Sequence, residues 1–153
     1  HADDTAATLG ERLSHLGAEA LVDVLTLLGA GQIEPTPQDH AQATHAPKIG
    51  RETARIAWDE PATAVDCHVR AFDPAPGAWA VVDGAEVKLF GSSVVDHHAV
   101  HPLGTVLLAS SELHVACGRG TVAIREVQPA GRKRQPVSDW VRGRGIAAGA
   151  CFA

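Results

Sequence analysis

The stretch AWAVVDGAEVKLF, residues 78–90, decides the fold. Two alternating, largely apolar runs, 78–82 and 85–90, flank Asp83-Gly84. Asp-Gly supplies the positive-φ pair that a two-residue hairpin turn requires. Downstream, residues 104–109, 113–117 and 121–127 form three more β-rich runs. Ser110-Ser111 and Gly118-Arg119-Gly120 provide the turns between them. Upstream, 54–58 alternates as a further short strand. Pro61 sits at a good first helical position, and 62–72 places Val65, Val69 and Phe72 on one side of a helix. DPAPG (73–77) ends that helix. Five or six short, closely spaced strands with one helix predict a mainly β domain, either a small barrel or an open sandwich.

Further upstream the pattern is helical. Leu9, Leu13, Leu16, Ala20, Val24 and Leu27 recur at spacings of three and four, predicting one amphipathic helix over 3–28. Asp3, Asp4 and Thr5 offer capping oxygens, and Gly29, Gly31, Pro35 and Pro37 end it. A helix this apolar must bury its face against something. Between helix and β domain, residues 38–58 are polar, broken by Pro47 and Gly50, and carry Lys48, Arg51 and Arg55. Connections this long are usually functional or linkers. At the other end, 128–135 reads as a loop with Arg132, Lys133 and Arg134 projecting together. Ser138 is expected to cap a short helix around Trp140, Arg142 and Arg144 follow, and the tail to Ala153 is expected to fray. The expected boundaries are 1–31 (helix), 32–53 (linker), 54–146 (β domain) and 147–153 (tail).

Composition is that of a soluble globular chain: 153 residues, 45% apolar and 20% charged. No apolar run approaches the roughly 20 residues needed to span a bilayer, and the N-terminus lacks a signal pattern. A chain that opens on His1 and contains no methionine is expected to be a processed or cut piece. Three scattered cysteines suit a reducing compartment, with Cys67 and Cys117 expected buried and Cys151 loose. The net charge of −5 is unevenly spread: −6 over 1–46, −4 over 47–118 and +5 over 119–153. That gradient favours an anionic partner for the C-terminal third. Arginines that merely solvate the surface are the alternative.

Catalytic chemistry is hard to find. Ser92-Ser93 and Ser110-Ser111 lie at turns without a positioned base, and Cys67 and His68 point apart on a helix. His97, His98 and His101 cluster beside Asp96 but lack the compact paired ligands of a zinc site, so loop histidines are expected there and no metal. The basic groups are more persuasive. Phosphate contact needs charge and reach rather than order.

Four collinear segments carry a resemblance: DTAATLGERLSHLGAEALVDVL (4–25), PQDHAQATHAPKI with ETARIAWDEPA (37–49 and 52–62), VRAFDPAPGAW (69–79) and EVQPAGRKRQPVSDWVRGR (126–144). Together they resemble the C-terminal half of the bacterial methionyl-tRNA formyltransferase family. The resemblance implies an open OB-like (oligonucleotide-binding-like) β-barrel, preceded by a linker and by the last helix of a Rossmann-like formyl-transfer domain. It implies a cytoplasmic enzyme, monomeric when whole, that moves a formyl group from 10-formyltetrahydrofolate to methionyl initiator tRNA. The folate site and the catalytic Asn, His and Asp would lie upstream, so this chain is expected to bind no cofactor and to lack catalysis. Its part would be to hold the tRNA, with Lys48, Arg51, Arg55, Arg132, Lys133, Arg134, Arg142 and Arg144 as candidate contacts; neither DNA nor a membrane is expected as partner. Lys48 matches a basic linker position of the family, and Arg51 stands where lysine is frequent. His45 and Ala75 depart from the family's aromatic residues. The alternatives are the matching domain of a sugar-nucleotide formyltransferase and a non-enzymatic interaction module associating through the helix.

Overall fold

The computed structural model describes residues 1–95 and 101–153. Six strands form one antiparallel sheet: β1 (Ala78–Val82), β2 (Ala85–Val95), β3 (Val106–Ala109), β4 (Leu113–Ala116), β5 (Thr121–Pro129) and β6 (Gln135–Pro136). The order is β1-β2-β5-β4-β3, with β6 pairing β5. The result is a small open OB-like β fold.

The 78–90 hairpin forms in the expected register, from Ala78 opposite Leu89 to Val82 opposite Ala85. Asp83 (φ 50°) and Gly84 (φ 75°) make the turn, as a two-residue hairpin of this hand demands. β2 then runs on to Val95 and pairs with β5 along its length. Gly91 adopts φ 62° within it. On β5 the core positions are Val122 and Ile124 before Arg125 but Val127 after it. The alternation therefore slips by one residue where the long pair bends, a glycine-assisted kink that curls the sheet.

Helix α2 (Ala62–Ala71) lies on the sheet and sends Val65 and Val69 into the core with Leu89, Leu113, Val115 and Ile124. Pro61 is its N-cap, one residue earlier than expected. The segment 54–58 is no strand. A 3-10 turn (Glu52–Ala54) leads into a single bridge, Arg55 with Trp79. Ala54, Ile56 and Trp58 are nevertheless buried, so the alternation read from sequence reports burial without a ladder.

Helix α3 (Val137–Arg142) has Pro136 at its N-cap and no side-chain cap bond. Ser138 lies inside the helix, because fixed-φ proline already preorganises its start. Cys67 is exposed, on the outer side of α2, whereas Cys117 is buried.

The tail is ordered rather than frayed. Val106 N–H donates to Ala150 C=O (2.8 Å), Phe152 N–H to Gly104 C=O (2.9 Å) and Ala153 N–H to Val81 C=O (2.8 Å). Residues 149–153 thus join edge strand β3 to edge strand β1 and cover backbone groups that would otherwise be open for pairing. Phe152 is buried and stacks on Trp58, with ring centroids 5.6 Å apart. Gly104 (φ 72°) makes the approach possible, since a Cβ there would collide with the Phe152 carbonyl oxygen.

Helix α1 (Ala6–Gly29) is longer than any other and buries no residue. Thr5 and Thr8 form a reciprocal capping box, leaving Asp3 and Asp4 outside the helix. At the far end Gln32 N–H reaches Leu27 C=O and Gly31 N–H reaches Leu28 C=O, a Schellman stop with Gly31 at φ 69°. Leu13, Leu16, Leu21, Val22 and Leu25 remain exposed, so the burial expected from the pattern is not met within this chain. The helix touches the β domain at its N-terminus: Arg70 Nη1 donates to Asp4 C=O (2.9 Å) and Ala7 N–H to Asp73 C=O (3.4 Å).

Candidate nucleic-acid interface

Directly opposed residues on neighbouring strands share a sheet face. The register sets Trp79 opposite Lys88 and Lys88 opposite Gln128. The next pair on that side is Phe90 with Glu126. Their sequence neighbours Ala78, Ala80, Val87, Leu89 and Val127 belong to the core. Lys88 and Gln128, both half-buried, therefore lie on the outer face of β2 and β5, while Trp79 at the β1 end of the row is itself buried beneath the linker and counts among the core residues.

Two arginines cover Trp79. The Arg51 and Arg55 guanidinium carbons stand 5.0 Å and 5.5 Å from its ring centroid, within cation–π range. The indole N–H donates to Arg51 C=O (2.9 Å), and Ile56 N–H donates to Trp79 C=O (2.9 Å). The end of the linker is thereby stapled to β1. Arg51 pairs with Glu86 while its side chain stays 69% exposed. The Glu86 hydrogen bond, then its charge, hold the guanidinium pKa above its ordinary value. Arg55 is exposed and makes no ion pair among the described residues.

A second arginine–aromatic contact lies further along the same face and differs in character. Arg134 sits 4.1 Å from the Phe90 ring centroid. It donates twice to Asp73 (2.7 and 3.2 Å) and through Nε to Glu126 (2.9 Å). Burial opposes its charge, but the bonds to Asp73 and Glu126 prevail and raise its pKa. The expectation that Arg132, Lys133 and Arg134 project together is corrected here: Arg134 folds back as a strap over the DPAPG turn. Asp73 is buried and needs that partner.

Arg132 and Lys133 remain outside, exposed and without ion pairs among the described residues. Their turn is fixed by Gly131 (φ 72°), by Arg132 N–H to Pro129 C=O (3.0 Å) and by Ala130 N–H to Glu86 C=O (3.0 Å). Gln128 Nε2 donates to Arg132 C=O (3.0 Å). Glu86 is thus a junction, holding Arg51 with its carboxylate and the basic turn with its backbone. Lys48 is exposed in the linker. Arg142 is exposed and pairs with Asp139 (3.3 Å). Arg144, at φ 57°, lines a shallow groove with Asp83 and Ile146.

Four of the eight candidate cations, Arg51, Arg55, Arg132 and Lys133, therefore gather around one corner of the sheet. Arg134 is tied down, Lys48 lies out on the linker, and Arg142 and Arg144 lie on the α3 side. Lys88 was missed by sequence reasoning. The available signal was the Glu86-Val87-Lys88-Leu89 alternation, which sends Lys88 outward when Leu89 goes in. The histidines His97 and His98 lie outside the described residues; His101 is exposed. Among the described residues no group of three or more His, Cys, Asp or Glu side chains converges as a metal would require.

The architecture is that of a small OB-like β domain with a basic, aromatic-backed outer face. The chain belongs to the formyl transferase family, whose C-terminal domain matches residues 48–145. It is 38% identical over 145 residues to a methionyl-tRNA formyltransferase of Methylococcus capsulatus, covering 95% of this chain and 47% of that protein. To the methionyl-tRNA formyltransferase of Paraburkholderia phymatum it is 42% identical over 151 residues, covering 97% and 46%. The chain spans about half the length of these curated relatives. Among solved structures, a HypX variant from Aquifex aeolicus superposes with a TM-score of 0.64 at 27% identity, over 83% of this chain and 23% of that one.

Proposed function

We propose that this chain is the tRNA-holding C-terminal part of a methionyl-tRNA formyltransferase, and that it lacks formyl transfer by itself. The carrying observation is the pair of exposed arginines, Arg51 and Arg55, stacked on Trp79 where the linker meets the sheet. Guanidinium groups fixed on an aromatic ring lose less freedom when they meet a phosphate. Arg132 and Lys133 extend the same charge across the neighbouring strand. The names of the relatives supply methionyl-tRNA as the substrate, and the family resemblance makes it the initiator tRNA and puts the protein in the cytoplasm. On this reading, α1 belongs to the formyl-transfer domain, 10-formyltetrahydrofolate binds there, and the exposed leucines of α1 pack against that domain.

The test is an anisotropy titration of the 153-residue chain with labelled initiator tRNA at several salt concentrations. Saturable binding that weakens steeply with salt is expected. Absence of binding at low salt would overturn the reading and favour the sugar-nucleotide relative. A parallel assay with methionyl-tRNA and formyl donor is expected to yield no product.

A further inference from the structure

We infer that Lys88 is the central phosphate contact of an RNA-backbone subsite running along the Trp79–Lys88–Gln128 row, an inference that rests on the tRNA-holding reading above. Of the chain's thirteen basic residues, Arg12, Arg51, Arg70, Arg125, Arg134 and Arg142 make ion pairs among the described residues. Lys88 makes none there. Glu86, two residues away on the same face, is already engaged by Arg51, so the Lys88 charge is not cancelled locally.

Its placement is what the other free cations lack. Lys48, Arg55, Arg119, Arg132, Lys133 and Arg144 sit on the linker, on turns or beyond α3, whereas Lys88 rises from a strand paired on both sides. Its stem runs over Gly77, where an added Cβ would stand 2.8 Å from Lys88 Cδ. That glycine leaves room for the half-buried side chain to lie against the turn. On one side stands Trp79 beneath Arg51 and Arg55. On the other, Gln128 is bonded to the Arg132 carbonyl. Strands lie about 4.8 Å apart, so the row spans about 10 Å and joins two basic groups that are separate in sequence. Ammonium, guanidinium and amide donors along one line suit successive phosphates of a single RNA backbone.

The test compares Lys88→Gln, Lys88→Arg and Arg119→Gln with the wild-type 153-residue chain by anisotropy with initiator tRNA, after melting curves verify folding. Arg119 lies in the β4–β5 turn, outside the row, and likewise makes no ion pair among the described residues. Lys88→Gln is expected to weaken binding about fivefold and to lower the salt slope by about one. Lys88→Arg should retain both, and Arg119→Gln should change affinity less than twofold. Unchanged binding in Lys88→Gln, or an equal loss in Arg119→Gln, would overturn the subsite while leaving the tRNA-holding reading intact. Failure of the wild-type chain to bind would overturn both.

Discussion

Two arginine–aromatic contacts on one sheet face have opposite fates. At Trp79 the two arginines meet a single carboxylate, Glu86, which pairs with Arg51 and leaves Arg55 without an ion pair among the described residues, and both stay open to solvent. At Phe90, Arg134 faces two carboxylates, Asp73 and Glu126, and is 34% exposed. The difference teaches that availability of a cation is set by how many acids the fold brings to it. An arginine saturated by acids holds structure together, and one left with a surplus of charge can meet a polyanion. Exposed pairs are worth little to stability, whereas taking the partner from a buried carboxylate such as Asp73 strands it.

The largest expected effect breaks the contrast from the Phe90 side. Arg134→Ala leaves Asp73 buried without its guanidinium and should destabilise the chain by about 2–3 kcal/mol, read as a lowered melting temperature. A melting temperature equal to wild type would mean that Arg134 is no strap. Next, the double variant Arg51→Ala/Arg55→Ala should weaken tRNA binding about tenfold, or about 1.4 kcal/mol, with the salt slope falling by about two. Its thermal stability should change by less than about 1 kcal/mol. Loss of stability without loss of binding would reverse the assignment of the two clusters.

Smaller still, Glu86→Gln frees Arg51 from its acid and should tighten tRNA binding about twofold, since one repulsive charge leaves the face. Weaker binding would mean that Glu86 positions Arg51 rather than competing for it. The smallest signal comes from the core behind both clusters. Burial pushes the Cys117 thiol up to about 11. With a folded pKa above that of the free thiol, its contribution to stability is complete below about 9 and is lost as pH rises toward 11. At pH 8, alkylation should reach Cys67 and Cys151 quickly and Cys117 only through unfolding. The Cys117 rate should rise in Arg134→Ala and stay at the wild-type value in the Arg51/Arg55 variant.

Legibility of the sequence varied with the range of the interaction. The Asp83-Gly84 hairpin, the α1 stop at Gly31 and the burial of Val65 and Val69 depend on residues a few positions apart, and all were readable. The 54–58 segment was half-readable, because alternation reports which side chains are buried and not whether a neighbouring strand is in register. The tail was misread. Gly149, Ala150 and Ala153 carry no pattern, and their order comes from edge strands that have unpaired backbone groups to offer. Within the candidate site, the cations were visible as residues, yet their grouping was not. Lys88 joins Trp79 and Gln128 only through two strand registers.

By itself, the sequence determined the β-rich domain, the amphipathic helix, the linker between them and the family motifs. These rest on periodicity, turn chemistry and collinear matches. Only the tertiary structure decided that Arg134 is neutralised while Arg132 and Lys133, its immediate neighbours, are not. Asp73 lies 61 positions from Arg134, and pairing over that distance depends on how the whole sheet curls. The same holds for the bridging of the sheet's two edges by residues 149–153 and for the row across β1, β2 and β5. Local codes fix elements because neighbouring atoms are covalently held near one another. Charge pairing and edge covering require surfaces that exist only once those elements have packed.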